Sequence, residues 1–594
     1  MDKKKSDVWN HFTLLDNEKA KCSYCSIEYS FKGGSTANLS RHLKRKHIIQ
    51  YEARKKISTE QDIDEHKIQN SIPQNTQTKI DSFVSKPISL TKSKQIDNQL
   101  AIVIAKEFQP YSLVENNEFK KFVKLLNPGY TLPSRKTISK SIIPQLVEST
   151  KQKIKNSIKN AEYIAFTTDG WTSVNNDSFV AITIHYIDKE ECILKTHLLG
   201  CFNFLESHTG VNLSDFMNNC FIEWEIQEKI KVAVTDNASN IVSAINLNTK
   251  WRHLPCLAHT INVIAQSGLG EISEVHKKVK SVVEFFKRSS QAYTKLKNMQ
   301  AQMGYPTLKL IQDVATRWNS TYAMFQRCID IKEPLVSTIA VIGNVNNLLQ
   351  TDFEIMKYYC DIFKPFNEVT IELSSEKEIS ISKVLILVNM LISHIKKKKQ
   401  EKDLPRNIYC MVEKMESKAD RKFKDINVDR ILTEASILDP RFKKKAFISS
   451  TSYQNAYQKL ILSVIKIITS NQTPCNINDE IDMSTEPENF EIWKDFDAQA
   501  STTTTISTPR SQAIIEIDRY MNEPLLPRKL DPLIWWKDHK VLYPNLFKLM
   551  LQKLCVPSSS VPCERTFSKA GYTYNYRSTQ SIVCQKYRTI IIFK

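Results

Sequence analysis

The 594-residue sequence holds no run of apolar residues approaching the roughly 18 that a membrane-spanning helix needs. Its opening, Met1-Asp2-Lys3-Lys4-Lys5, leads into polar sequence without an apolar h-region. No secretory leader and no membrane partner are therefore expected. A disulfide framework is also lacking. The 13 cysteines are odd in number and widely scattered, which is the usage of an intracellular chain. Acidic residues are in deficit, 64 against 83 Lys and Arg, for a net charge of +19. That balance points to a polyanionic partner, most simply nucleic acid. With 41% hydrophobic and 25% charged residues, the composition is that of a globular protein, and the length exceeds what one core can serve.

What is present begins with a metal-ligand pattern. Cys22 and Cys25 are separated by two residues, His42 and His47 by four, and sixteen lie between the pairs. Two thiolates and two imidazoles at that spacing close a tetrahedral Zn²⁺ site with no open position, so the metal is structural. A module this small needs such a staple to fold. The second pair sits on a predicted helix that Ser35 or Thr36 would cap. Leu39 and Leu43 would face inward, and Arg41, Lys44, Arg45 and Lys46 outward toward phosphates and the major groove. With Trp9 and Phe12 ahead of the cysteines, residues 5–50 resemble a BED-type zinc finger, which implies binding to double-stranded DNA.

Residues 51–95 are polar and sparse in apolar side chains, the composition of a disordered linker. Within them Gln77-Thr78-Lys79-Ile80-Asp81-Ser82-Phe83-Val84 has the look of a sliding-clamp-binding peptide. Residues 96–150 turn to helical spacing, with Phe119, Phe122, Val123 and Leu126 on one face and Ser134 placed as an N-cap.

The centre of the chain carries two β-type runs. Tyr163-Ile164-Ala165-Phe166 leads into Asp169-Gly170-Trp171, and Lys231-Val232-Ala233-Val234-Thr235 ends in Asp236. If the strands are neighbours, the two carboxylates meet at one sheet edge, where a divalent cation offsets their repulsion. Oxygen ligands favour Mg²⁺ or Mn²⁺. Further strands are expected over 178–187 and 192–200 and a helix over 215–225, an order compatible with a ribonuclease-H-like fold.

The motifs Thr168-Asp169-Gly170-Trp171, Asp236-Asn237-Ala238-Ser239-Asn240, Cys256-Leu257-Ala258-His259-Thr260-Ile261-Asn262, Arg317-Trp318-Asn319, Leu438-Asp439-Pro440-Arg441-Phe442 and Pro562-Cys563-Glu564-Arg565 follow in that order. Together they resemble hAT-family transposases over essentially the whole chain. The resemblance implies a multidomain α/β plus α architecture. A helical DNA-binding and assembly region would occupy 96–150, and the first part of a ribonuclease-H-like core 161–262. An α-helical insertion would follow over 263–470, a flexible segment over 471–512 and a C-terminal dimerisation region over 513–594.

The same resemblance implies a catalytic triad of Asp169, Asp236 and Glu564 on two divalent cations. Arg317 would pair with phosphate, Trp318 would stack on a displaced base, and His259 would lie beside the active site or on DNA. It further implies a nuclear, dimeric DNA-binding protein that regulates transcription or is a transposable-element product, or an active transposase. The text after Gly571 departs from the family pattern, which bears on the dimer contacts and on competence for transposition.

Overall fold

The computed structural model describes residues 7–15, 19–31, 36–47, 88–107, 109–173, 176–343, 345–375, 377–471, 508–561 and 563–565. Two compact units divide the chain, Met1–Ser85 and Lys86–Lys594. The clamp-type peptide at 77–84 and the tail beyond 565 lie outside the described residues.

In the first unit, three short strands form one antiparallel sheet: β1 (Phe12–Leu14), β2 (Lys19–Cys22) and β3 (Glu28–Ser30). Helix α1 (Ala37–Lys46) follows. Val8, Phe12, Ala20, Leu39 and Leu43 make the core, and Trp9 packs edge-on to Phe31 at 5.0 Å. Thr36 occupies the N-cap without a capping hydrogen bond, and Ser35, the other expected cap, lies outside the described residues. Lys44, Arg45 and Lys46 occupy the last turn, where cations complement the helix dipole.

The second unit opens with α2 (Leu90–Lys106), which starts inside the stretch read as linker; Ser89 Oγ accepts from the Lys92 N–H at 3.3 Å. Asn116 caps α3 (Asn117–Leu126). Ser134 Oγ accepts from the Thr137 N–H at 3.0 Å, opening a helical run that continues into α4 (Ile143–Lys159).

A five-stranded sheet then organises the unit, with β4 (Ile164–Thr172), β5 (Ser178–Ile187), β6 (Leu194–Asn203), β7 (Ile230–Thr235) and β8 (Arg252–Pro255) in the order β6-β5-β4-β7-β8. The first three pair antiparallel, and β7 and β8 add parallel to β4. A strand can be parallel to β4 only if the chain crosses back, and α5 (Gly210–Glu223) makes that crossing. The fifth strand has no counterpart in the sequence reading, because Arg252–Pro255 is too short to show a period.

Ile164, Phe166, Ile182, Ile184 and Tyr186 face α4, α5 and α6 (Ser239–Asn246), while Ala165, Val232, Val234 and Leu254 face the helical remainder of the unit. The sheet is thus covered on both faces. Each fully buried Phe or Ile contributes about 1.5–3 kcal/mol.

Helices follow β8, beginning with α7 (Leu257–Leu269) and including α8 (Trp318–Asp330), α9 (Gln350–Leu373) and α10 (Arg430–Leu438). The C-terminal helices α11 (Pro509–Asn522), which begins inside the stretch read as flexible, and α12 (Pro532–His539) dock on the end of α10. The last carbonyls of a helix have no partner within it. Here Tyr520 Oη donates to the Ile437 carbonyl at 3.0 Å and Trp536 Nε1 to that of Leu438 at 2.9 Å. In return, Lys443 Nζ donates to the carbonyls of Tyr520 and Glu523, at the end of α11.

Asp439 locks the junction. It is fully buried and accepts from Ser382 Oγ at 2.6 Å and from Arg441 Nε and Nη2 at 2.9 and 2.7 Å. Removing one partner of such a pair leaves the other charged and unsolvated. Asp439→Ala is therefore expected to destabilise the second unit by about 3–5 kcal/mol, read as a lower urea midpoint. An unchanged midpoint would refute the lock.

Candidate functional site

In the first unit the ligand atoms of Cys22, Cys25, His42 and His47 lie within 4.8 Å of one another, the only such group among the described residues. The hairpin supplies the thiols and α1 the imidazoles. His47 Nε2 is buried without a hydrogen-bond partner, as a nitrogen kept for a metal would be. His42 Nε2 lies 3.3 Å from Cys25 Sγ, and its Nδ1 is 2.9 Å from Tyr29 Oη, a contact that orients the ring. Burial, then His47 and Lys46, hold the His42 imidazole below its ordinary pKa, favouring the neutral, ligating form. The donor set fits Zn²⁺. Arg41, Lys44, Arg45 and Lys46 are exposed on the same helix.

The acidic centre follows from strand register. Ala165, Phe166 and Thr167 pair with Val232, Ala233 and Val234, so Asp169 and Asp236 each stand two residues beyond the last parallel pair. Both are half-buried. Glu564 arrives from nearly 400 residues away in sequence, in the helical turn at 563–565.

Its neighbour Cys563 is fully buried and seats that turn on β4 and β5. The Sγ lies 3.2 Å from Thr167 Oγ1 and 3.4 Å from Thr183 Oγ1, and the thiol donates to the Thr167 carbonyl. The preceding Ser558-Ser559-Ser560 threads through the interior with its polar groups matched. Leu257 N–H donates to the Ser558 carbonyl at 3.0 Å, and the Ser558 and Ser559 hydroxyls donate to the Leu373 carbonyl. Ser560 N–H donates to Cys256 Sγ at 3.3 Å. Cys256 is thereby accounted for as a buried acceptor.

The carboxyl oxygens of Asp169, Asp236 and Glu564 do not all come within 4.8 Å of one another as the finger's ligand atoms do, but the other two acids lie near enough to Asp169 to change its acidity. The Asp169 carboxyl is pushed up to about 7, by burial first and then by the charges of Glu564 and Asp236, against one backbone N–H from Gly170. Mutual repulsion of this kind is what a divalent cation relieves, and an all-oxygen donor set is the type that Mg²⁺ and Mn²⁺ prefer.

Around the centre, β8 begins beside β7, and Cys256 N–H donates to the Thr235 carbonyl at 2.7 Å. His259 lies half-buried in the first turn of α7. Arg317 is exposed at the N-cap of α8. Trp318 corrects the expectation of a base-stacking side chain. Its ring is 2% exposed and packs against Phe363 at 5.4 Å and Phe366 at 6.2 Å, so its face is already covered by core aromatics.

Sequence reasoning missed His253. Its Nε2 lies 3.0 Å from Thr235 Oγ1, whose hydroxyl donates to the Asp236 carbonyl. Burial lowers its pKa and Asp236 partly offsets that. Only the β7–β8 register, Ala233 opposite His253, reveals the pairing. Cys563 stood inside a quoted motif without a role, and its seat between two threonines is equally invisible before folding.

Comparison with known proteins accords with this arrangement. Residues 6–48 match the BED zinc finger, 167–253 the ZBED1 RNase-like domain, 254–357 the ZBED1 RNase-like helical domain and 516–584 the hAT family C-terminal dimerisation region. An AC transposase of Zea mays is 26% identical over 98% of this chain and 75% of its own length. Zinc finger BED domain-containing protein 4 of Homo sapiens is 24% identical over 95% of this chain but 49% of its own, so the chain spans about half that relative. Zinc finger BED domain-containing protein RICESLEEPER 3 of Oryza sativa subsp. japonica is 23% identical over 99% and 81%. The chain thus carries, in this order, a BED zinc finger, the ZBED1 RNase-like domains and a hAT C-terminal dimerisation region, the make-up of a BED-type zinc finger protein of the hAT transposase family.

Proposed function

We propose that this protein binds double-stranded DNA through its zinc-stapled finger and cleaves and transfers DNA strands at its acidic centre, in the nucleus and as a homodimer. The electrostatic coupling of Asp169 to Glu564 and Asp236 carries the reading: Asp169 and Asp236 follow the same ends of two paired parallel strands, and Cys563 holds the turn of Glu564 against the strand that bears Asp169. Cys22, Cys25, His42 and His47 would hold Zn²⁺, leaving Arg41, Lys44, Arg45 and Lys46 to meet phosphates and base edges. Asp169, Asp236 and Glu564 would hold Mg²⁺ or Mn²⁺, ions that activate a water or 3′-hydroxyl and stabilise a leaving oxygen.

The chain's own residues do the rest. Burial and the neighbouring charges raise the Asp169 carboxyl to about 7, so it would hold a proton near neutral pH that a bound cation would displace. His253, kept neutral, fixes the Thr235–Asp236 backbone through its Nε2–H. His259 and Arg317 supply the donor and the positive charge for the phosphate backbone. Leu530, Ile534, Val541 and Leu542 are exposed within the dimerisation region, an apolar surface suited to a second copy.

A second reading, DNA binding alone in transcription regulation, is favoured by the finger forming a unit of its own. Strand cleavage decides between them. Asp169→Asn is expected to reduce Mg²⁺-dependent cleavage of duplex DNA by about a thousandfold or more, with binding within about twofold of wild type. Equal cleavage would reject the triad.

The acidity of Asp169 gives an independent check. Its folded value of about 7 lies above the ordinary 3.8, so the native metal-free protein grips this proton more tightly than the unfolded chain does. Stability is lost as pH rises through that interval. Asp169→Asn, which cannot ionise, should therefore exceed wild type in urea midpoint at pH 8 without metal and match it near pH 4. Mg²⁺ should close the gap at pH 8 by stabilising only the wild type. A midpoint difference independent of pH would sink the assignment.

For the finger, Cys22→Ser is expected to lose bound zinc and the circular-dichroism signal of α1, together with site-specific DNA binding. Site-specific binding that persists in excess chelator would exclude a zinc-dependent finger.

A further inference from the structure

Arg317 stands in an exposed bend, yet the backbone on both sides of it is held by one side chain from another helix. Asn262 Nδ2 donates to the Thr316 carbonyl at 3.2 Å, and Asn262 Oδ1 accepts from the Trp318 N–H at 3.1 Å. The first N–H groups of a helix lack partners inside it, and the N-cap of α8, Arg317 itself, makes no side-chain cap. Asn262 therefore caps α8 from outside while clamping the residue before Arg317. Gln266, one turn further along α7, adds a contact of 3.4 Å to the Ala315 carbonyl.

From below, buried Asp313 accepts from Ser320 Oγ and Thr321 Oγ1, both at 2.8 Å. The Arg317 guanidinium is exposed, and no carboxylate among the described residues pairs with it.

The other end of α7 is tied to the acidic centre. Cys256 N–H meets the Thr235 carbonyl beside Asp236, and the helix then rises about 1.5 Å per residue, so Asn262 lies about 9 Å along the axis from that contact. Residues 259, 262 and 266 fall at helical spacing on one face. We propose that Asn262 is the positioning residue for Arg317: it fixes that cation, with His259 a turn away, at a set distance from the carboxylates so that it meets the phosphate backbone of the bound DNA. The proposal rests on Arg317 being a phosphate contact, as read above.

The test is binding of full-length protein to a 30-base-pair duplex by fluorescence anisotropy across a salt series. Each phosphate contact contributes about 0.9 to the slope of log affinity against log salt. Arg317→Ala should lower the slope by about that amount. Asn262→Ala should lower it by most of the same amount, and the double variant should fall no further than Arg317→Ala alone. Gln266→Ala, a milder loss on the same bend, should move the slope less and in the same direction.

A purely structural role for Asn262 would change thermal stability and leave the slope in place, and that outcome overturns the proposal, as does an additive double variant. Should Asn262→Ala not fold, an unchanged slope in Gln266→Ala overturns it equally. If Arg317→Ala itself leaves the slope unchanged, the phosphate role of Arg317 fails first and the proposal falls with it.

Discussion

Like charges at the edge of a buried sheet are costly, and the second unit brings Glu564 and Asp236 near enough to Asp169 to raise its pKa. The parallel pairing of β4 with β7 places Asp169 beside Asp236, and a parallel neighbour demands a crossover helix and cover on both faces. One face is covered by helices from the same stretch of chain, the other by the long helical remainder. That cover allows Cys563 to be fully buried and Glu564 to be delivered at its side. The raised pKa of Asp169 is the electrostatic consequence of this packing.

Several polar groups buried along the way are matched by partners distant in sequence. Tyr520 and Trp536 satisfy the last carbonyls of α10, Lys443 those of α11, and the three serines at 558–560 find the Leu373 carbonyl, Leu257 N–H and Cys256 Sγ. Each contact joins segments at least 77 residues apart in sequence. Stability and site geometry are therefore the same problem here: the segment carrying Glu564 is fixed by the bonds that close the interior. Asn262 extends this principle to the rim, where a side chain of α7 sets the place of an exposed arginine.

Much of this was legible in the residues. The spacing of Cys22, Cys25, His42 and His47 specified a tetrahedral site, and the structure gathers those ligand atoms. The apolar runs before Asp169 and Asp236 specified strands, and Ser134 marked a helix start that the backbone uses. Less was legible where local pattern is weak or misleading. Arg252–Pro255 is a strand only because β7 offers it an edge. Trp318 sits next to an exposed arginine in sequence, but α8 turns its ring into the core.

What the sequence decided by itself is local chemistry: which atoms can ligate zinc, which segments have strand or helix period, and which charges are in excess. These depend on side chains within a few residues of each other. Tertiary structure alone decided that His253 reports on Asp236, that Cys563 rests between Thr167 and Thr183, and that Asn262 brackets Arg317. Those pairs are set by strand register and helix docking. Both arise from burying apolar faces across long stretches of chain, and neither leaves a mark in the residues that happen to meet.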